Sequence, residues 1–509
     1  MSLQKNLFTL LVLLLLWSCS KDSSELELSP NSEQDPMPKS EIDAEIKKQL
    51  DHGTVYNWNM ASDQLLWSAL VQSDSIVALG YQTSNTENIK DKIHEIDPQE
   101  PTWSAVKEDL IEMALEAANR GLTEPRYTRE DILMTPGPQP VPAIMIKIWD
   151  KALLAELRTM DEVRYVEVAT YTYGTQARSA AGCGGAVGAN NIPAQDFTST
   201  SPQAIIPWTY DFMNVPAAWS QSTGQGVKVA VIDSGTSPSQ SKLGSEFNSG
   251  QSQGRSLQRD GTFISSWWPW ARPDGPNDDC GHGTQMAGLV AAPRGFGGTP
   301  AGVAYNCNLF SIRGTDDVVI NDWREKQGVR DALILSGNDG AVKIISMSLG
   351  DIFYSSTVAD GIFHAYNRNK LIFAAAGTST WFTNWVGVVF PASMSQTVAV
   401  TGVKDVTPLA ECNECHYGSQ VDFVAVMQRA SNGDRTALSL AMSGNTPSYI
   451  GGSSAATAMT AGVAALVWSR YPNWSRSTVL NRLKTSASIY PSRDSDFGWG
   501  IIDAALAVQ

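Results

Sequence analysis

The sequence predicts an α/β fold, a doubly wound and mostly parallel sheet preceded by a small α+β domain. In the second half of the chain, six short runs rich in branched and aromatic residues alternate with helical stretches, which is the βαβ pattern. The stretch 452–468 is a helix that is apolar on nearly every side, and such a helix belongs in a core. Strands and helices also alternate in a smaller upstream unit.

The predicted strands of the large sheet are 227–232, 308–313, 342–348, 371–376, 397–402 and 421–426, with helices near 327–336 and 357–369. Right-handed crossovers bring the ends of the strands at 227–232 and 371–376 to one edge of the sheet, where open α/β sheets place functional groups. The upstream unit, 41–173, has predicted strands at 75–81, 143–149 and 163–168 and helices at 103–118 and 151–160.

Residues 1–18 are predicted to be a lipoprotein signal peptide. The apolar run at 7–17 has the length of a leader core and is shorter than the roughly 20 residues of a membrane-spanning helix. Residues 16–19 (Leu-Trp-Ser-Cys) resemble a bacterial lipoprotein box, which implies a lipid on Cys19 and a place in the cell envelope, on the surface or the periplasmic face. An ordinary secretory leader is the alternative. Residues 19–40 have the composition of a flexible tether.

The composition restricts the class of partner. A formal net charge of −15 and an isoelectric point near 4.8 disfavour nucleic acid and anionic membrane surfaces. We expect a monomer that meets protein or peptide substrates, with the lipid as its contact with a membrane.

Ser454 is the candidate nucleophile. It stands in the first turn of the apolar helix, where free backbone N–H groups and the positive end of the helix dipole stabilise an oxyanion. The alternative is that Ser453 and Ser454 only cap this helix. A nucleophilic serine needs a base, and the base needs an orienting group.

The candidate base and orienting acid are His282 and Asp233. His282 has glycines on both sides, which allow close backbone approach, and it begins a second apolar helix. Asp233 directly follows the predicted strand at 227–232, at the functional edge of the sheet.

These segments resemble those of the subtilisin-like serine peptidases, the subtilases. Residues 229–235 (Val-Ala-Val-Ile-Asp-Ser-Gly) resemble the family's aspartate motif, 281–284 (Gly-His-Gly-Thr) its histidine motif, and 452–456 (Gly-Ser-Ser-Ala-Ala) its serine motif, in the same order. The resemblance covers roughly 207–509 and implies a subtilisin-like catalytic domain at 201–509. It implies that Ser454 attacks a peptide carbonyl, His282 takes and returns the proton, and Asp233 fixes and stabilises the imidazole.

One departure from the family concerns the oxyanion hole. The family's Ala-Ala-Gly-Asn segment supplies an asparagine donor, but here 374–377 (Ala-Ala-Ala-Gly) is followed by Thr378. We expect Thr378, through its hydroxyl or a bridging water, and Ser454 to form the oxyanion hole. Asn384, brought in by a rearranged loop, is the alternative.

The resemblance also implies where the substrate lies. Residues 344–350 resemble the family strand whose edge pairs with the substrate backbone. The residues expected to flank the substrate are Ser348, Leu349, Gly350, Ala375, Ala376 and Gly377. Two aromatic groups, at 267–270 and 381–385, either contact substrate or pack internally.

Residues 153–168 resemble the end of a subtilase propeptide, with a helix followed by a Val-x-Tyr-Val-Glu strand. The resemblance implies that 41–173 assists folding and inhibits the catalytic domain until it is cut off; a plain accessory domain is the alternative. The linker 174–200 is rich in glycine and small residues, and we expect the maturation cut between Tyr173 and Asn191.

Five cysteines remain besides Cys19, so at least one is unpaired or pairs between chains. Cys412 and Cys415 are close enough for a short disulfide loop, and Cys280 is expected to make activity sensitive to thiol reagents. The haem pattern C-x-x-C-H at 412–416 lies where the family has a surface turn, so no cofactor is expected. The loop 292–300 often binds calcium in relatives but has no carboxylate here, so no metal is expected.

Two functions from different classes remain open. The first is a lipid-anchored, self-processing serine endopeptidase that acts on extracellular or periplasmic proteins. The second is a catalytically silent or strongly slowed subtilase-like surface protein that binds peptides or partners in the same cleft. The two functions differ in whether Thr378 can serve as a donor in the oxyanion hole.

Overall fold

The computed structural model describes residues 35–53, 55–174, 183–266, 271–378 and 386–509. The signal peptide, Cys19 and most of the tether lie outside these ranges, as do residues 175–182 of the linker, Asn384, and the aromatic groups at 267–270 and 381–385. Within the described ranges, no helix combines the length and the apolarity that crossing a bilayer requires.

The strands of these ranges are β1 (Ile76–Tyr81), β2 (Ala143–Lys147), β3 (Val163–Val168), β4 (Phe197–Thr200), β5 (Ala204–Pro207), β6 (Lys228–Asp233), β7 (Leu257–Gly261), β8 (Asn308–Arg313), β9 (Val342–Met347), β10 (Leu371–Ala375), β11 (Val398–Lys404), β12 (Val421–Arg429), β13 (Asn432–Ser439) and β14 (Ser448–Ile450). The α-helices are α1 (Lys39–Leu50), α2 (Asp63–Val71), α3 (Ile89–Lys92), α4 (Pro101–Asn119), α5 (Arg129–Ile132), α6 (Lys151–Leu157), α7 (Val215–Ala218), α8 (His282–Ala291), α9 (Trp323–Asn338), α10 (Ser356–Asn367), α11 (Gly452–Arg470), α12 (Arg476–Thr485) and α13 (Ala504–Ala507).

The large sheet has the strand order β14-β13-β12-β11-β10-β9-β6-β8-β7. Neighbouring strands are parallel from β12 to β7, whereas β13 and β14 add two antiparallel strands at one edge. The predicted mostly parallel sheet is therefore confirmed. The strand order reverses at β6, whose neighbours are β8 and β9, and β6 ends at Asp233. Such a reversal is where open α/β sheets form their sites.

Alternating side chains of β6 reach two different cores. Val229 and Val231 lie in a core shared with α8 and α11, whereas Ala230 and Ile232 lie in a core shared with α9 and α10. A strand buried on both faces needs a nearly continuous apolar sequence. The sheet is therefore doubly wound, as predicted.

All six predicted strands of this sheet are present close to their expected bounds. Three strands were not predicted, namely β7, β13 and β14. β7 is largely exposed at one edge of the sheet, and β13 begins with exposed polar residues, so neither has the apolar run that identified the buried strands.

The upstream unit contains the three predicted strands, in an antiparallel sheet of order β2-β1-β3, and the two predicted helices as α4 and α6. One face of this sheet packs on helices of the large sheet, because Ile76, Ala78 and Tyr165 share a core with Trp323 and Ile334. Residues from Pro36 to Gln509 accordingly form one unit.

Polar contacts reinforce this packing. The Arg164 guanidinium donates to both carboxylate oxygens of Asp360 at 2.9 and 2.7 Å, and the Tyr165 hydroxyl donates to the same carboxylate at 3.0 Å. Glu167 accepts the backbone N–H of Ser356, the first residue of α10, at 2.8 Å. The β3 strand of the upstream unit thus supplies a side chain that caps a helix N-terminus of the large sheet.

Candidate active site

Asp233 and His282 form a buried pair at the end of β6. The Nδ1 atom of His282 lies 2.8 Å from Asp233 Oδ1, and the two residues are 4% and 1% exposed. Because a carboxylate only accepts hydrogen bonds, Nδ1 carries the proton and Nε2 is left as the basic nitrogen. A Cβ at Gly283 would lie 2.3 Å from the Gly235 carbonyl oxygen, so the approach of α8 to the turn after Asp233 requires a glycine there.

Asp278, which sequence reasoning did not single out, holds the histidine turn in place. Its carboxylate accepts the backbone N–H groups of Cys280, Gly281 and Thr284 at 3.0, 2.7 and 2.8 Å. It also accepts the Ser234 hydroxyl at 2.9 Å, which ties the turn to the residue after Asp233. Its place four residues before His282 was the signal available in the sequence.

The electrostatics of the site raise the pKa of His282. Burial lowers the pKa of this imidazole, but the charge and hydrogen bond of Asp233, together with Asp278 and Asp317, outweigh burial and raise it above the ordinary value. Burial in turn raises the pKa of Asp317 to about 6. An imidazole whose charged form is stabilised in this way is suited to take a proton during a reaction.

Ser454 lies half-buried in the first turn of α11. The Ser348 hydroxyl donates to the Ser454 carbonyl oxygen at 3.0 Å. The first turn of α8 contacts the strand that leads into α11, because the Gln285 side-chain amide donates to the Tyr449 carbonyl oxygen at 3.2 Å. The first turn of α8 therefore lies next to β14, the strand that leads into α11. Among the described residues, no hydrogen bond joins Ser454 to His282.

Thr378, the predicted oxyanion donor, is bonded to the residue before the nucleophile. Its Oγ1 lies 3.0 Å from Ser453 Oγ and accepts the Ser453 backbone N–H at 3.3 Å, and Ser453 Oγ accepts the Gly377 N–H at 3.2 Å. Thr378 is exposed whereas Ser453 is fully buried. Sequence reasoning treated Ser453 only as a helix cap; its position beside Ser454 was the available signal.

The predicted substrate strand is already paired at Gly350. The Gly350 N–H donates to the Val318 carbonyl at 2.9 Å, and the Ile320 N–H donates to the Gly350 carbonyl at 3.2 Å. Leu349 is 3% exposed and its side chain belongs to the core rather than to an open groove. Ser348 is buried next to Ser454.

The second segment predicted to flank the substrate, 375–377, also uses its backbone hydrogen-bonding groups within the protein. Ala375 ends β10, the Ala376 N–H donates to Val400, and its carbonyl accepts from Val389, both at 2.9 Å. The Gly377 carbonyl accepts the N–H of His416 at 3.0 Å. Gly377 has a φ of 127°, and a Cβ there would lie 2.6 Å from the His416 ring, so this segment requires a glycine.

Two disulfides border the site. The predicted Cys412–Cys415 loop is confirmed, which leaves these sulfurs bonded to each other rather than available to a haem. Cys183 pairs with Cys280, so the expectation that Cys280 is a reactive thiol is wrong. Cys307 is a buried free cysteine, as the odd count required. Within the described ranges, no three His, Cys, Asp or Glu residues cluster closely enough to hold a metal ion.

Comparisons with known proteins point to one family. The model of the Subtilase family matches residues 224–500. The chain is 29% identical over 323 residues to "Alkaline elastase YaB" of a Bacillus species, covering 62% of this chain and 73% of the relative. It is 30% identical over 309 residues to "Thermostable alkaline protease" of Halalkalibacterium halodurans, covering 60% and 74%.

A solved structure described as "Proteases from Pseudoalteromonas arctica PAMC 21717" is 26% identical with a TM-score of 0.46, over 58% of this chain and 93% of that one. The match of the family model spans more than half of the sequence and contains the Asp233–His282 pair and Ser454. The chain therefore belongs to the subtilase family.

Proposed function

We propose that the protein is a serine endopeptidase that hydrolyses peptide bonds of extracellular or periplasmic proteins through an acyl-enzyme on Ser454. The observation that carries this proposal is the buried Asp233–His282 pair at the N-terminal end of α8, in which Asp233 holds Nδ1 and leaves Nε2 to act as the base. Stability alone does not account for the pair, because a buried ion pair is often no more stabilising than apolar residues.

The mechanism follows from the positions of the protons. Asp233 holds the Nδ1 proton of His282, so Nε2 takes the proton of Ser454 as its oxygen attacks the peptide carbonyl. Nε2 then gives that proton to the leaving amine, and the acyl group remains on Ser454. A water molecule then attacks the acyl ester while Nε2 takes its proton. Nε2 returns that proton to Ser454, and the carboxylic acid is released.

The oxyanion of the intermediate needs donors in place of the missing asparagine. Thr378 and Ser453 have two hydroxyl protons between them, and their mutual hydrogen bond uses one. The other has no partner among the described contacts, so one O–H of this pair is available beside the Ser454 backbone N–H. We assign the oxyanion hole to the Thr378–Ser453 pair and the N–H of Ser454.

We propose that the upstream unit is a propeptide that folds with the catalytic domain and inhibits it. Its β3 strand caps α10 through Glu167 and forms the buried Arg164–Asp360 pair, which orient it on the catalytic domain. On the catalytic side of the linker, Cys183 is bonded to Cys280, two residues before His282. A cut between Tyr173 and Cys183 releases the unit, whereas a cut beyond Cys183 leaves it attached through the disulfide.

We also propose that the mature chain is held in the bacterial cell envelope by a lipid on Cys19, with the leader removed. The leader and box in the sequence support this. Expression of the full chain with a radiolabelled fatty acid tests it. We expect the label on the wild type and none on Cys19→Ser, and an unlabelled wild type contradicts the anchor.

The alternative is a silent or slowed protein that binds peptides. The observation in its favour is that Thr378 replaces the family asparagine and is hydrogen-bonded to Ser453. Residues 20–509 and the Ser454→Ala variant, followed over time by intact mass after reduction of the disulfides, separate the two functions. The peptidase predicts loss of a fragment ending between Tyr173 and Asn191 in the wild type only. Two stable chains favour the binding protein.

A further inference from the structure

We infer that residues 318–320 occupy the place of the third substrate residue, so that this chain recognises only two residues on the acyl side of the scissile bond. The inference rests on the proposed function and specifies its substrates. It concerns the two segments that meet at Gly350, a residue predicted to pair with substrate.

Both main-chain polar groups of Gly350 are used inside the protein. Its N–H donates to Val318 at 2.9 Å, its carbonyl accepts from Ile320 at 3.2 Å, and Val319 and Gly350 form a parallel bridge. A substrate strand that reached Gly350 would have to replace these two hydrogen bonds rather than add to them. The exchange gains little, since the hydrogen bonds lost equal those formed.

The strand period places the obstruction at the third residue. In an extended chain, successive residues face opposite edges, so the main-chain groups of Ser348 and Gly350 face one edge and those of Leu349 the other. Ser348 contacts the nucleophile through its hydroxyl. If the residue that donates the scissile carbonyl lies opposite Ser348, the residue two positions upstream lies opposite Gly350.

The segment that follows Ser348 has no free edge on its other side either. The Asp351 N–H donates to the Phe390 carbonyl at 2.9 Å, and the Phe390 N–H donates back to Asp351 at 3.0 Å. A Cβ at Gly350 would lie 2.6 Å from the Phe390 carbonyl oxygen. Gly350 is therefore enclosed between 318–320 and Phe390.

The obstructing segment is itself held in place. Asp317 Oδ1 accepts the Val318 N–H at 2.6 Å, and the Thr315 hydroxyl donates to the Asp317 carbonyl at 2.6 Å. Ile320 is fully buried in the core shared with α9. Cys183 Sγ, part of the disulfide to Cys280, lies 3.7 Å from the Asp316 carbonyl oxygen. The pairing with Gly350 is thus anchored at both ends.

A substrate-length series tests the inference on the processed enzyme. Peptide p-nitroanilides with the same residue at the scissile bond and two, three or four residues on the acyl side are compared by kcat/KM. We expect the four-residue substrate to exceed the two-residue one by less than about threefold. A rise of tenfold or more, the change that two new backbone hydrogen bonds of ordinary strength supply, overturns the inference.

Two variants open the pairing. Ile320→Pro removes the N–H that bonds Gly350, and Val319→Gly loosens the segment without removing core volume, which keeps the test informative if the proline variant does not fold. We expect both to gain a length dependence of about tenfold. Val406→Gly, at a half-exposed valine in a surface turn, is the matched control, and its kcat/KM should remain independent of substrate length. If kcat/KM of both variants depends on substrate length as little as that of the wild type, the inference is contradicted.

Hydrogen exchange provides a readout that does not need turnover. In the Ser454→Ala variant, the N–H groups of Gly350 and Ile320 should be protected without ligand and unchanged by a saturating four-residue peptide acid. Unprotected N–H groups, or protection that appears only with peptide, overturn the inference. Failure of the proposed function is seen separately, as the absence of Ser454 acylation in the wild type.

Discussion

Thr378 Oγ1 lies 3.0 Å from Ser453 Oγ, so the residue in the place of the family asparagine is bonded to the neighbour of the nucleophile. The two hydroxyls act as one donor in the proposed mechanism. Thr378→Ala and Ser453→Ala should each lower kcat by about 10- to 100-fold with little change in KM, because an oxyanion donor acts in the transition state.

The double variant distinguishes a shared donor from two separate ones. We expect it to be little worse than either single variant, since removing either hydroxyl already disrupts the unit. Thr378→Ser should keep most of the activity, and Thr485→Ala, at a helix end away from the site, should keep all of it. If the fold reductions in kcat of the two single variants multiply in the double variant, the two hydroxyls act separately and the shared donor is contradicted.

The pH dependence of kcat/KM should follow the ionisation of His282. The enzyme needs the neutral imidazole, and the nearby carboxylates raise the pKa of His282 above its ordinary value of 6.5. Activity should therefore rise with pH through a midpoint above 6.5. Asp317→Asn removes one of these charges and should move the midpoint to lower pH, whereas Asp331→Asn on α9 should not. An unmoved midpoint in Asp317→Asn would contradict the assignment.

Glu167 should make the folded chain less stable as pH rises. Burial raises the pKa of this carboxyl to about 7 from 4.5, against the hydrogen bonds from Ser356 and Asn59, which favour the carboxylate. The folded state therefore binds more protons than the unfolded state, and the stabilisation present below pH 4.5 is lost between pH 4.5 and 7.

Urea unfolding of Ser454→Ala and of Ser454→Ala with Glu167→Gln, at several pH values, measures this effect. The difference between the two free energies of unfolding should change by roughly 1–3 kcal/mol across the window, because one pKa unit corresponds to 1.36 kcal/mol. A difference that does not vary with pH would assign the carboxyl an ordinary pKa.

Breaking the Arg164–Asp360 pair should lower the free energy of unfolding strongly, because the pair is buried. Both side chains are less than a tenth exposed, at 8% and 4%. Arg164→Met removes the ion-pair partner of the buried Asp360 and should cost roughly 3–5 kcal/mol of unfolding free energy, whereas Arg164→Met with Asp360→Leu should recover most of it. The exposed pair Arg129–Glu108 is the matched control, and its loss should cost no more than about 1 kcal/mol. Equal costs for both pairs would contradict the role of burial.

The central features of the fold could be predicted because they are encoded locally. The strand ending at Asp233 is apolar on both faces, and α11 is apolar all round, so each identifies itself without its neighbours. His282 and Ser454 lie in short motifs with glycines that the close approach of α8 and the turn into α11 require.

The remaining features depend on contacts between distant parts of the chain. Val318 and Gly350 are both ordinary in sequence, and only the fold brings their main chains together. The Cys183–Cys280 bond closes a separation of 97 residues, which spacing alone could not assign among five cysteines. Arg164 and Asp360 likewise become partners only when the upstream sheet packs on α10.

The most direct test of the central claim is acylation of Ser454 by a fluorophosphonate probe, read by peptide mass spectrometry on residues 20–509 and on the chain after removal of the upstream unit. We predict labelling at Ser454 that is stronger after removal, that rises with pH as His282 loses its proton, and that is absent in Ser454→Ala and strongly reduced in His282→Ala. An unlabelled Ser454 in a folded chain, with the upstream unit removed, would contradict the peptidase and favour the peptide-binding protein.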